Sequence, residues 1–237
     1  MDKKIYQKIA EQLASDIDAA RYRPGDRLPA ERELAASLGV SRTSLREALL
    51  ALEFAGRIEI RDRAGVFVLK QDKAVRPSVP ETDPPGPYEV LEARRLIEGE
   101  LTYRACLRAS VEDLGAIVAS SREMAATDVD DLERFMQLDR SFHVLIAEAA
   151  GNSVLAEMSI ALWDQRNGPL WSTWYQGTRS RENRIRSARQ HAEIAAFIAA
   201  RQASAARAGM ERHIDTITER FLGYGAEPIE PLADAAQ

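Results

Sequence analysis

Cysteine occurs once in the chain, at position 106, so no disulfide can form within it. A lone thiol on a helical stretch reads as a small buried apolar residue in a reducing, cytoplasmic setting. Long apolar runs are missing. None approaches the roughly 20 residues that a membrane-spanning helix needs, and the charged, amphipathic start "MDKKIYQKIAEQL" does not read as a secretory leader. No membrane partner is expected. Histidine is scarce, with three residues in 237. No H-E-x-x-H helix occurs, which removes a familiar zinc-hydrolase signature. No internal repeat is visible.

Neither sign of charge dominates: 32 Lys+Arg face 37 Asp+Glu, for a net charge of −5. The distribution is uneven. Residues 1–75 carry 14 basic against 12 acidic side chains, and the remainder 18 against 25. A mildly basic front and an acidic back suggest two modules with different partners. The break between them is "RPSVPETDPPGPYEV", whose five prolines exclude regular helix. Residues 1–72 therefore form one domain, 73–86 a Pro-rich linker, 87–225 a second domain, and 226–237 a flexible tail.

The front module begins with Ile5, Ile9, Leu13 and Ile17 at four-residue spacing, which predicts a helix. "AERELAASL" predicts a short second helix with Pro29 at its start. Ser41 is a good N-cap for a third, "RTSLREALLALEFA", that stops at Gly56. "RIEIRDRAGVFVL" then gives two alternating runs around Gly65, a β-hairpin. Helix, turn, helix and hairpin make a winged helix-turn-helix. Its third helix is suited to the DNA major groove, with Leu45, Ala48, Leu49 and Leu52 anchoring one face. Arg42, Thr43, Ser44 and Arg46 are expected on its exposed N-terminal turns, where Arg can pair with guanine and hydroxyls with phosphate. Arg61 and Arg63 sit at the wing, and Arg32 adds a further positive point.

The back module predicts about six helices, roughly 87–109, 110–126, 128–150, 152–175, 179–201 and 203–223, packed as a bundle. The expected fold is mainly α. All three histidines fall on inward stripes: His143 among Phe142 and Ile146, His191 with Ala188 and Ala195, His213 with Met210 and Ile217. Asp139 lies four residues before His143 on the same face, a spacing that lets both side chains reach one ion. One carboxylate and three imidazoles suit a divalent metal, Zn first, with Ni, Mn or Fe as alternatives. Spacing alone leaves a second explanation open, that of hydrogen-bonded core histidines and an Asp–His ion pair.

The segment "PAERELAASLGVSRTSLREALLALEFAGRIEIRDRAGVFV" resembles the N-terminal domain of the GntR superfamily of bacterial regulators. The resemblance implies DNA contacts at Arg32, Ser41, Arg42, Ser44 and Arg46. Arg63 stands where the family usually has the first glycine of the wing tip. "LDRSFHVLIAEAAGN" and "QHAEIAAFIAARQASAARAGMERHI" resemble the helical effector domain of the FadR branch, called FCD. That resemblance implies a divalent metal held by Asp139, His143, His191 and His213. It also places Arg94, in "YEVLEARRLIEGELT", where several members bind an effector carboxylate. "ALWDQRNGPLWSTWYQ" is similar to a segment of the hexuronate (ExuR/UxuR-like) regulators. There Trp163 and Arg166 would line a sugar pocket, and Trp171 and Trp174 either join them or simply pack.

The expected protein is a cytoplasmic, homodimeric transcription regulator, by default a repressor. It would bind double-stranded DNA at a palindromic operator and sense a small carboxylate effector, a hexuronate or related sugar acid. The alternatives are a non-sugar acid such as lactate or citrate, or a helical metalloenzyme built on the Asp–His₃ set. A metal with a purely structural role is a further possibility.

Overall fold

In a computed structural model, residues 3–70 and 85–224 are described. All but residues 85 and 86 of the expected linker, and the whole of the expected tail, lie outside them. Helix dominates, and the one sheet among the described residues is a two-stranded hairpin. The chain forms two compact units. One comprises residues 1–86, 169–177 and 220–237, the other 87–168 and 178–219.

In the first unit, α1 (Ile5–Asp18) packs on α3 (Arg42–Phe54), with α2 (Glu31–Leu38) between them in sequence. Helix α1 buries Tyr6, Ile9, Ala10, Leu13 and Ile17, while Ile5 is 62% exposed. A strict four-residue spacing drifts off a 3.6-residue turn, so the far end of the stripe passes to Tyr6. Helix α2 ends on Gly39 in the left-handed conformation, and Val40 then leads directly to the Ser41 cap of α3. The Ser41 hydroxyl accepts the Ser44 N–H at 3.1 Å, satisfying one of the free donors at the helix start. Strands β1 (Ile58–Arg61) and β2 (Gly65–Val68) pair antiparallel, from Ile58 opposite Val68 to Arg61 opposite Gly65. At the tip, Arg63 takes a left-handed φ of 56°, the conformation a glycine would adopt more easily.

The second unit holds α4 (Pro87–Arg108), α5 (Val111–Ala126), α6 (Leu132–Ala149), α7 (Ser153–Asp164), α9 (Arg181–Ala199) and most of α10 (Ala203–Gly223). Caps mark the starts: Ser110 with Asp113 in a reciprocal box, then Asp131, Asn152 and Ser180. The single helix expected over 152–175 is two. Helix α7 stops at Asp164, a 3-10 turn covers Gln165–Asn167, and α8 (Pro169–Thr178) follows. Gly168, with ψ of 156°, is extended because Pro169 after it disfavours the helical conformation. The break transfers residues 169–177 to the first unit. There Trp171 and Trp174 are packing residues, 5.0 Å apart edge to face, with Trp174 against Phe221 at 5.5 Å.

Candidate functional site

Helix α6 places Asp139 and His143 one turn apart, α9 supplies His191, and α10 supplies His213. One ligand atom from each lies within 4.8 Å of all the others. His191 Nε2 is 3.2 Å from His213 Nε2 and 3.6 Å from Asp139 Oδ1, and His143 Nε2 is 3.9 Å from the same oxygen. Donors held tetrahedrally at about 2.1 Å from one ion are about 3.4 Å from each other. The observed spacings bracket that value.

The outer nitrogens have neighbours of their own. His143 Nδ1 lies 2.6 Å from Glu98 Oε2, His213 Nδ1 is 2.9 Å from Gln190 Oε1, and His191 Nδ1 is 3.1 Å from the Met124 sulfur. The Gln190 amide donates to the Thr216 hydroxyl at 3.0 Å, which leaves its oxygen for His213. Protons on the His191 and His213 Nδ1 atoms would find these acceptors and turn both Nε2 lone pairs to the centre, where His143 Nε2 also lies. Burial lowers the His191 pKa to about 3 despite Asp139, and lowers His213 well below the ordinary value, the neighbouring His191 and His143 adding to it. Both rings are neutral at pH 7. With their protons on Nδ1, the His191 and His213 rings would oppose two Nε2 lone pairs across 3.2 Å, and neither ring nitrogen of His143 makes a hydrogen bond among the described residues. A cation resolves both. Burial would raise the Asp139 carboxyl, but Arg166 and the histidines outweigh it and bring it to about 2, so it is an anion there. The residues present fit a divalent metal.

Beside this group lies a second cluster. Arg94 and Trp163 are buried, and Arg166 is 12% exposed at its side chain. Both guanidiniums lie over the Trp163 ring, at 4.3 and 4.0 Å, and His143 is 4.7 Å from it. Arg94 Nε donates to Glu98 at 2.6 Å, and Arg166 Nη1 to Asp139 at 3.1 Å. The buried Glu98 carboxyl sits below the usual range, because Arg94 and His143 outweigh its burial. Arg94 Nη1 and Trp163 Nε1 are buried donors with no acceptor among the described residues. Two such donors in contact, beside three inward imidazoles, form a cradle for an anion. The ring of Trp163 is already in contact with both guanidiniums, so its free feature is the indole N–H.

In the first unit, Arg32, Ser41, Arg42, Arg61 and Arg63 are exposed, and Thr43 and Ser44 are partly so. Ser41, Thr43 and Ser44 join their hydroxyls at 2.8 and 2.9 Å. Arg61 pairs with Glu59 at 2.7 Å. The expectation that Arg46 is exposed is corrected: it is 1% exposed. Its guanidinium pairs with Glu31 and donates to the carbonyls of Phe221, at 2.9 Å, and Tyr224. The last carbonyls of α10 lack intrahelical donors, and Arg46 donates to that of Phe221, which also accepts the Tyr224 N–H at 3.3 Å.

Nearby, Glu53 Oε1 accepts the Ile60 N–H at 2.7 Å and Oε2 accepts the Tyr224 hydroxyl at 3.3 Å. Burial pushes this carboxyl up to about 7, with the Glu59 charge adding and the two hydrogen bonds opposing. The folded unit therefore holds the proton more tightly than the unfolded chain. That contribution is complete below about pH 4.5, the unfolded value, and is lost as the pH rises through about 7. Glu53→Gln should flatten the fall in unfolding temperature between pH 5 and 8. Parallel curves for the two proteins would refute this.

Glu98, Met124, Gln190 and Glu31 are functional neighbours that sequence reasoning passed over. Glu98 carried a signal, since it lies with Leu91, Arg94 and Leu101 on one stripe of α4.

Residues 5–68 match the family of bacterial regulatory proteins, gntR family, and residues 89–216 match the FCD domain. The chain is 34% identical over 227 residues to the Uxu operon transcriptional regulator of Escherichia coli (strain K12), covering 92% of this chain and 87% of that one. It is 30% identical over 238 residues to the Exu regulon transcriptional regulator of the same strain, covering 98% and 90%. Among solved structures, E. coli McbR/YncC shares the fold, with a TM-score of 0.51 at 19% identity over 93% of this chain and 98% of that one.

Proposed function

The chain belongs to the gntR family of bacterial regulatory proteins and carries an FCD domain, so it is a transcriptional regulator, and we propose that its helical unit senses a small carboxylate held beside a divalent metal. Asp139, His143, His191 and His213 hold the metal, which supplies a docking charge for an anion. Arg94 and Trp163 donate to the effector from their unsatisfied nitrogens, and Arg166 adds charge at the rim. A hexuronate is the preferred effector, because two regulators similar to this chain over nearly its whole length are named for the Uxu operon and the Exu regulon.

The protein acts in the cytoplasm as a homodimeric repressor on a palindromic operator, matching its own twofold axis to that of the DNA. No described helix is long and apolar enough to cross a membrane. Arg32, Ser41, Arg42, Thr43 and Ser44 contact the operator, with Arg61 and Arg63 reaching the backbone from the wing. Effector binding shifts the population toward a state of lower operator affinity.

The observation that carries the sensor reading is the pair of buried donors without acceptors, Arg94 Nη1 and Trp163 Nε1, against the ring of inward imidazoles. The test is calorimetry on metal-loaded protein with glucuronate, galacturonate, fructuronate, lactate and citrate. Heat with a hexuronate, lost in Arg94→Met, is expected. Binding of lactate or citrate alone would transfer the sensor to non-sugar acids. Binding of none would end the carboxylate reading.

A further inference from the structure

Arg46 stands on the helix read here as the one that enters the groove, yet every acceptor it uses is internal. Its guanidinium is closed off by Glu31 on one side and by the Phe221 and Tyr224 carbonyls on the other. Seven residues further along α3, Glu53 accepts the Tyr224 hydroxyl at 3.3 Å. The end of α10 therefore grips α3 at two points, two turns apart. The grip is built, not incidental. Phe221 is fully buried against Trp174 of α8. Gly177 of α8 leaves space for the Tyr224 ring, since a Cβ there would come within 2.1 Å of the hydroxyl. The negative end of the α10 dipole also favours the cation placed on it.

We propose that the end of α10 is an autoinhibitory clasp that withholds Arg46 from DNA: the guanidinium serves either the Phe221–Tyr224 turn and Glu31, or the operator, and binding at full affinity requires the turn to leave. The inference rests on the reading of α3 as the operator-contacting helix. Arg46 has five N–H donors in one plane, and the carbonyls and carboxylate occupy the same fork that would pair with guanine or phosphate. A device of this kind sets a resting affinity below the maximum. Helix α10 also carries His213, eight residues before Phe221.

The experiment uses the full-length protein and the duplex it selects from a random library. Tyr224→Phe removes the Glu53 latch, Glu31→Gln weakens the hold on the guanidinium, and Gly177→Ala displaces the Tyr224 ring. Each is expected to bind the duplex about tenfold more tightly, the scale of a hydrogen bond to a charged group. The slope of log affinity against log salt should steepen by about one, for one added phosphate-type contact. In an Arg46→Ala background, all three gains should vanish. A gain from Glu31→Gln that persists there is the loss of a repelling carboxylate and overturns the clasp. Should Gly177→Ala fail to fold, unchanged affinity and slope in Tyr224→Phe and Glu31→Gln overturn it equally. Failure of the wild type and every variant to select any duplex overturns the reading of α3 itself, and the clasp with it.

Discussion

His191→Ala is expected to yield protein that binds its operator normally but neither retains metal nor answers an effector. His191 is the central donor of its group, 3.2 Å from His213 and 3.6 Å from Asp139. Removing an outer partner of a ligand costs about 10–100-fold in metal affinity, and removing a ligand should cost at least the upper end of that. Elemental analysis after dialysis should fall from one ion per chain to a small fraction. Operator affinity should hold, because α3 and its exposed side chains belong to the other compact unit. Stability separates this from general damage. The metal-free variant loses the His191 stack on Phe142 at 4.4 Å but also relieves the opposed lone pairs, so its unfolding temperature should change little. What should vanish is the increment that added metal gives the wild type, since only binding to the folded state produces it. Stoichiometric metal in the variant would refute the ligand assignment.

The inward stripes of α6, α9 and α10 were legible because helical periodicity alone decides which way a side chain points. Polar residues on an apolar stripe, such as Asp139 and His143, stand out against it. Arg94 and Glu98 sit on such a stripe too, but an i and i+4 pair of opposite charge is as compatible with a surface as with a core. Only the packing of α6 and α7 on α4 shows that the pair is dry. Arg46 was misplaced for a similar reason. It borders the apolar face of α3, and what covers it arrives 175 residues later in the chain. Local pattern carries no record of such a contact. The break at Gly168-Pro169 was written in the sequence, since proline sets the conformation of the residue before it, although the helix expected over 152–175 ran through it.

Glu98→Ala should destabilise the metal-free protein by about 3–5 kcal/mol, because it leaves the Arg94 charge buried without its partner. Arg94 is fully buried, and Glu98 is its charged acceptor at 2.6 Å. The same carboxylate lies 2.6 Å from His143 Nδ1, so one substitution strips both Arg94 and His143 of the group that holds them. Urea unfolding measures the cost, and a loss below about 1 kcal/mol would mean that water reaches the pair. A double replacement separates structure from function. With Arg94→Met and Glu98→Met together, no charge is left unpaired, and a well-packed apolar pair in place of a buried ion pair is often neutral or stabilising. What remains is the unsatisfied His143 N–H, about 1–3 kcal/mol. The double variant should therefore be more stable than Glu98→Ala alone. It should still bind operator, and it should have lost its response to the acid. Recovery of stability together with retained effector binding would show that Arg94 belongs to the core and not to the sensor.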